Sequence, residues 1–226
     1  MGSTFSKRLQ SLIESLPFFQ TLHITMVGLD SAGKTTALYR LKFGQYINTL
    51  PTIGFNCEKI KFDFRKSKKL HYFQGVSFTI WDIGGQDKLR PLWIPYTRCT
   101  DGIIFMVDSV DDDRFEEARI ELMRTLKFPQ NAQVPVLIFA NKHDLPNSKT
   151  PDEITQALGL NDLNGKHLWH IQSCCSITGD DLEDGLEHLY EMILERRRMQ
   201  KLQPNNQFHH LHSNHNHSNN HGKRKR

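Results

Sequence analysis

The sequence predicts an α/β fold, a mostly parallel central sheet that carries one antiparallel hairpin strand. Three observations support this reading. Short apolar runs alternate with helical patterns from about residue 22 to residue 194. Gly102–Val107 and Val134–Phe139 are apolar throughout, as strands are when helices cover both faces of a sheet. Only one segment breaks the alternation: Asn56–Phe64 and Val76–Trp81 both read as strands with no helix between them. Parallel neighbours joined by helices imply right-handed crossovers; the exception implies a hairpin.

The elements follow in order. In residues 2–19, Phe5, Leu9, Leu12, Ile13 and Leu16 form one apolar helical stripe, with Lys7, Arg8, Gln10, Ser11 and Glu14 mostly off it. Pro17 ends that helix. Leu22–Val27 reads as a buried strand and Lys34–Phe43 as a helix, with Ala37, Leu38 and Leu41 at helical spacing. The hairpin has a long basic tip over Arg65–Gly75. After the strand at 102–107 come a helix near 113–127, a strand over Val134–Ala140, and helices near 151–158 and 180–200. Residues 201–226 form a tail, rich in Asn and His, that ends Lys223-Arg224-Lys225-Arg226; such composition cannot bury a core and reads as disordered. The chain thus divides into an N-terminal amphipathic helix (2–19), one domain (20–200) and the tail (201–226).

At 226 residues the chain is long enough for one well-buried domain with appendages and short for two. Four cysteines show no C-x-x-C spacing, which suits a reduced, intracellular setting. No apolar run approaches the ~20 residues that span a bilayer. Residues 195–226 hold eight Lys/Arg and one acid, which leaves 21 basic and 24 acidic residues elsewhere. The basic balance therefore belongs to the tail and points to an anionic partner for it.

Gly28-Leu29-Asp30-Ser31-Ala32-Gly33-Lys34-Thr35 fits G-x-x-x-x-G-K-[ST], between a strand and a helix as that pattern requires. The glycines let successive N–H groups turn inward around anionic oxygens. Lys34 supplies positive charge for β- and γ-phosphates, the hydroxyl of Thr35 can hold Mg²⁺, and Thr36 continues the phosphate-facing helix start. The fold class is thereby a P-loop NTPase. In Trp81-Asp82-Ile83-Gly84-Gly85-Gln86, Asp82 ends a strand where a carboxylate can hold Mg²⁺ through water. Gly85 can offer an N–H to a γ-phosphate, and Gln86 can orient an attacking water because its amide both donates and accepts. Thr52, before the hairpin, can complete the Mg²⁺ shell only while a γ-phosphate is present, which is the physics of a switch. In Asn141-Lys142-His143-Asp144, the Asp144 carboxylate can accept two guanine N–H groups that adenine does not present. Lys142 can lay its stem over the purine, and Asn141 can tie this loop to the phosphate loop.

Together Gly28–Thr36, Pro51–Asn56, Trp81–Trp93, Asn141–Asp144 and Cys174–Gly179 resemble the Arf/Arf-like small GTPases over roughly residues 2–200. The Tyr96–Gly102 stretch and the Glu195–Met199 helix end are most similar to the Arf-like subgroup with a basic C-terminal extension. The resemblance implies the small GTPase fold, GTP/GDP and Mg²⁺ as ligands, Thr35 and Thr52 as Mg²⁺ ligands, and Gln86 as the water-positioning residue. It implies Asn141, Lys142 and Asp144 as guanine readers, with a backbone N–H from Cys175-Ser176 on the guanine carbonyl. Ser176 stands where the family more usually has Ala, and the hairpin is several residues longer than the family pattern. The implied function is a molecular switch that recruits effectors in membrane traffic and answers to an exchange factor and a GTPase-activating protein. No Arg is positioned in cis, so intrinsic hydrolysis is expected on the order of 10⁻³ s⁻¹ or below.

Met1-Gly2-Ser3-Thr4-Phe5-Ser6 fits the N-myristoylation pattern at Gly2. One such chain binds membranes reversibly, and the basic tail offers the second signal on an anionic leaflet. The expected location is the cytoplasmic face of membranes, the plasma membrane first, and the cytosol. The same Lys/Arg cluster also reads as a nuclear import signal, so an import receptor and the nucleus stay open. No specific nucleic-acid partner is expected. A nearly static nucleotide-bound scaffold and a P-loop kinase are the competing readings; the second leaves Asn141–Asp144 unexplained.

Overall fold

A computed structural model describes residues 21–63 and 74–202. The expectations for 2–19, for Gly2, for most of the hairpin tip and for the tail from 203 onward lie outside the described residues. The order is β1 (Thr21–Val27), α1 (Lys34–Phe43), β2 (Phe55–Asp63), β3 (Gln74–Ile83), a 3₁₀ turn at Asp87–Leu92, and α2 (Trp93–Thr97). Then follow β4 (Gly102–Asp108), α3 (Phe115–Leu126), β5 (Val136–Asn141), α4 (Pro151–Leu158), β6 (Trp169–Ser173) and α5 (Leu182–Leu202). One sheet of order β2-β3-β1-β4-β5-β6 joins all six strands. β2 and β3 are antiparallel, and every other pair is parallel.

Local signals set the helix ends. Gly33 and Gly44, both left-handed, bracket α1, and the Gly44 N–H bonds Arg40 O at 2.9 Å. α4 opens on a capping box between Thr150 and Glu153 with Pro151 at its first turn, and it stops at left-handed Gly159.

The core explains the uninterrupted apolar runs. Along β4, Ile104 and Met106 face the layer built by α1 and α5, where Leu38, Leu186, Leu189 and Tyr190 pack. Ile103, Phe105 and Val107 face the other layer, where Trp93, Leu122, Ile154 and Leu158 pack. Both pleats are therefore apolar. Each fully buried side chain of this kind stabilises the fold by roughly 1.5–3 kcal/mol.

Three features depart from the sequence reading. β6 lies where the sequence predicts no strand: its five residues, Trp-His-Ile-Gln-Ser, are all half-buried at the sheet edge and lack an apolar run. Val134 and Pro135 precede β5 rather than open it, and Asn141 is the last residue of β5 rather than the first after it. Gln74 and Gly75 belong to β3, not to the hairpin tip. Among the described residues no helix is long and apolar enough to cross a membrane.

Because β1, β3, β4, β5 and β6 run the same way, the loops after them gather at one edge of the sheet. Those loops begin at Gly28, Gly84, Ser109, Lys142 and Cys174. The C-terminal edge of a parallel sheet is where α/β folds bind ligands.

Candidate functional site

The phosphate loop folds as its glycines require. Gly28 has φ +143°, and a Cβ there would come within 2.2 Å of Met106 O. Gly33 has φ +93°, and a Cβ there would strike Asn141 Nδ2 at 2.2 Å. Gly28 admits no other residue without backbone movement, and a side chain at Gly33 would strain the left-handed backbone and displace the Asn141 amide. The loop lines a cleft of about 250 Å³ with Lys34, Thr35, Thr36, Thr49–Thr52, Gly85 and Gln86.

Lys34 is buried. Its Nζ donates to Gly28 O at 2.8 Å and to Leu29 O at 2.7 Å. Burial is the main reason its pKa falls to about 8, with Asp82 and Asp30 opposing the fall. Desolvation disfavours the charged ammonium, so a phosphate arriving beside it would restore what burial removes.

Three oxygens proposed for Mg²⁺ converge. Thr35 Oγ1 lies 2.7 Å from Thr52 Oγ1 and donates to Asp82 Oδ2 at 2.6 Å. They come from the first turn of α1, the extended segment before β2, and the end of β3. Asp82 is fully buried, and its Oδ1 has no hydrogen-bond partner among the described residues. A buried carboxylate oxygen without a donor is costly, and hard oxygen donors suit Mg²⁺. The residues present therefore fit a divalent cation.

The residues expected to read guanine meet at the other end of the trough. Asn141 Nδ2 donates to Ala32 O at 2.8 Å, while its Oδ1 accepts from Ser176 N and Ser176 Oγ, both at 2.9 Å. This side chain fastens the phosphate loop to the 174–176 loop. Lys142 takes a left-handed φ of 64° and pairs with the Asp108 carboxylate. A second cleft, about 190 Å³, is lined by Ser31, Gly33, Thr36, Tyr46, Asn141, Lys142, Asp144, Cys175 and Ser176. It shares Ser31, Gly33 and Thr36 with the phosphate cleft, so the two are one trough.

The structure thus brings together Gly28–Thr36, Thr52, Asp82, Gly85, Gln86, Asn141, Lys142, Asp144, Cys175 and Ser176. It adds residues the motifs did not single out. Asn56 Nδ2 donates to Asp82 Oδ2 at 3.1 Å, because Asn56 and Asp82 are cross-strand partners. Arg114 bonds Asp30 Oδ1 at 3.1 Å and Asp30 O at 3.2 Å. Hairpin register would have pointed to Asn56; nothing local points to Arg114, which lies 84 residues from Asp30.

Comparison with known proteins gives the same picture. A model of the ADP-ribosylation factor family matches residues 5–193. The chain is 52% identical over 203 residues to ADP-ribosylation factor-like protein 4A of Mus musculus, covering 90% of this chain and 98% of that one. It is 52% identical over 191 residues to ADP-ribosylation factor-like protein 4C of Homo sapiens, covering 84% and 96%. Among solved structures, the Arl6 BBS3 small GTPase of Trypanosoma brucei, with bound nucleotide analogue GppNp, superposes with a TM-score of 0.67. That likeness has 32% sequence identity and covers 78% of this chain and 99% of the other.

Proposed function

We propose, since this chain belongs to the ADP-ribosylation factor family and is a guanine-nucleotide-binding GTPase, that it is a membrane-attached switch whose effectors read the γ-phosphate. The observation that carries the nucleotide part is the trough that the phosphate loop, Thr52, Gly85, Gln86, Asn141, Lys142 and Asp144 line together.

Each residue has a physical task in this reading. Lys34 and the N–H groups of Gly33, Lys34, Thr35 and Thr36 hold the β- and γ-phosphates. Thr35, Thr52 and Asp82 would hold Mg²⁺ with the oxygens that converge there. When bound, that ion neutralises charge on the phosphate oxygens. Gln86, exposed on the wall of the phosphate cleft, accepts a hydrogen bond from the attacking water with its Oε1 and so orients it. Asp144 selects guanine, because adenine would leave its carboxylate unpaired. Thr52 connects chemistry to signal: its hydroxyl reaches the Thr35–Asp82 group, so losing the γ-phosphate removes a reason for residues 49–56 to stay there.

At the membrane, a myristoyl chain on Gly2 and the basic tail act together. One acyl chain gives K of about 10⁴ M⁻¹, and each Lys/Arg near an anionic leaflet adds about 1 kcal/mol. The cytoplasmic face of the plasma membrane is the corresponding location, with effectors, exchange factor and activating protein as partners.

The test is nucleotide competition followed by single-turnover hydrolysis. GTP should displace a fluorescent GDP while ATP does not, and Gln86→Leu should abolish stimulated phosphate release. Equal displacement by ATP overturns the guanine reading. For the membrane part, myristoylated protein should co-sediment with phosphatidylserine vesicles, and Gly2→Ala protein should remain in the supernatant. Equal co-sedimentation overturns that part.

A further inference from the structure

Trp93 and Arg90 hold the two glycines before Gln86 in an arrangement that the switch reading does not use. Trp93 Nε1 donates to Gly84 O at 3.0 Å. Arg90 Nε donates to Gly85 O at 3.0 Å. Both donors are buried, Trp93 in the core beside Phe105, with ring centroids 6.2 Å apart.

A trans peptide is planar, and its C=O and the following N–H point in opposite directions. The indole that captures Gly84 O therefore turns the Gly85 N–H away from the core. Gly85 lies on the phosphate loop, where a Cβ would come within 2.4 Å of Asp30 N and Gly28 O. Likewise, the guanidinium that captures Gly85 O sets the plane of the peptide joining Gly85 to Gln86.

Arg90 is itself held from several sides. Its Nη2 lies 2.5 Å from Asp87 Oδ1, 2.8 Å from Glu117 Oε1 and 4.0 Å from Asp30 Oδ1, and its Nη1 lies 3.7 Å from Glu121 Oε1. Through Arg90 the residues on either side of Gln86, Gly85 and Asp87, are tied to α3. The Arg90 side chain is only 7% exposed and that of Glu121 15%, whereas that of Asp87 is 81% exposed, so water screens the hold from α3 less than the hold from Asp87.

We infer that Trp93 and Arg90 are positioning residues for the γ-phosphate sensor: Trp93 aims the Gly85 N–H, and Arg90 aims the Gln86 main chain. The inference rests on the reading of Gly85 and Gln86 above. It separates two properties. Trp93 sets the preference for GTP over GDP, because the Gly85 N–H can meet only the third phosphate. Arg90 sets the hydrolysis rate.

Five proteins, wild type, W93F, R90K, Asp87→Asn and Q86L, are compared by affinity for GDP and for a non-hydrolysable GTP analogue, and by single-turnover hydrolysis. W93F keeps the aromatic packing and loses the N–H. Its analogue affinity should fall about tenfold while GDP affinity stays within twofold, since one hydrogen bond to a charged group is worth about 1.5–3 kcal/mol. R90K keeps the charge and loses the fork. Its two affinities should stay within twofold while hydrolysis slows about tenfold. Asp87→Asn, at an exposed side chain, cuts one of Arg90's partners without a buried change and should slow hydrolysis a few-fold. Equal weakening of GDP and analogue in W93F makes Trp93 a packing residue and overturns its role. Wild-type hydrolysis in both R90K and Asp87→Asn overturns the role of Arg90. Wild-type hydrolysis in Q86L overturns the underlying reading of Gln86 instead, and the affinity ratio of W93F reads its own claim separately.

Discussion

The two ends of the trough are built on opposite plans. At the base end the protein satisfies itself. Asn141 has both its donor and its acceptor engaged by the backbone of two loops, and Lys142 is paired with Asp108. At the phosphate end the protein is held short of satisfaction. Lys34 is buried among carbonyls with its pKa lowered to about 8, and Asp82 keeps one oxygen without a partner among the described residues. The contacts between Thr35, Thr52 and Asp82 are those a cation would share or replace. A finished site reads its ligand without moving, whereas an unfinished one changes when the ligand does. On the proposed function, base recognition and state sensing belong to different ends, and each prediction below tests that division.

The largest effect belongs to Lys34. Lys34→Ala removes the one buried cation of the phosphate loop, and two lost charge-assisted bonds cost roughly 3–6 kcal/mol. Affinity for GDP and for a GTP analogue should fall by about two to four orders of magnitude, measured by displacement of a fluorescent nucleotide. Loss of less than tenfold would show that the phosphate end is held by main-chain groups alone.

Asn141→Ala should come next. It leaves Ala32 O and the Ser176 N–H buried without partners, at roughly 1–3 kcal/mol each. Because both clefts hang on this side chain, GDP and GTP-analogue affinity should fall together, by tens of fold, and the melting temperature should drop. A loss confined to the GTP analogue would break the division drawn above.

Thr52→Ala should do what Asn141→Ala cannot. Affinity for the GTP analogue with Mg²⁺ should fall about tenfold, while GDP affinity stays within twofold, as one charge-assisted contact implies. The pH dependence gives a second measure of the same end. Lys34 titrates near 8 in the folded protein against 10.5 in an unfolded chain. The native state therefore holds fewer protons between about pH 8 and 10.5, and stability of the nucleotide-free protein gains from this residue as pH rises through that window. Nucleotide binding needs the ammonium, so affinity should weaken as pH passes 8. Lys34→Arg, which does not titrate there, should lose that slope; an unchanged slope would assign it elsewhere.

Much of the phosphate end was legible because its signals are short-range. Gly28, Gly33, Lys34 and Thr35 lie within eight consecutive residues, and their spacing encodes a local loop geometry. α4 was legible for the same reason, since Thr150, Pro151, Glu153 and Gly159 are local cap signals. What stayed hidden is long-range or half-buried. The Asn141–Ser176 contact joins residues 35 apart. β6 lacks a period because each of its side chains is partly exposed. Nothing local to Arg90, between Leu89 and Pro91, signals burial, yet its side chain is only 7% exposed beside Glu117 and Glu121 of α3.

The smallest expected effect is the sharpest test of over-determination. Ser176 supplies Asn141 Oδ1 with two donors, its N–H and its hydroxyl, and Cys174 Sγ lies 3.7 Å from the same oxygen. Ser176→Ala removes one donor and leaves the backbone N–H in place, with no buried group orphaned except one lone pair. The cost should be under about 1 kcal/mol, the worth of one neutral hydrogen bond, or less than about fivefold in affinity for GDP and GTP analogue alike. Equality between the two nucleotides is the informative part. If Ser176→Ala lowers GTP-analogue affinity while sparing GDP, the hydroxyl is transmitting strain through Asn141 and Ala32 into the phosphate loop, and the base end is part of the sensor.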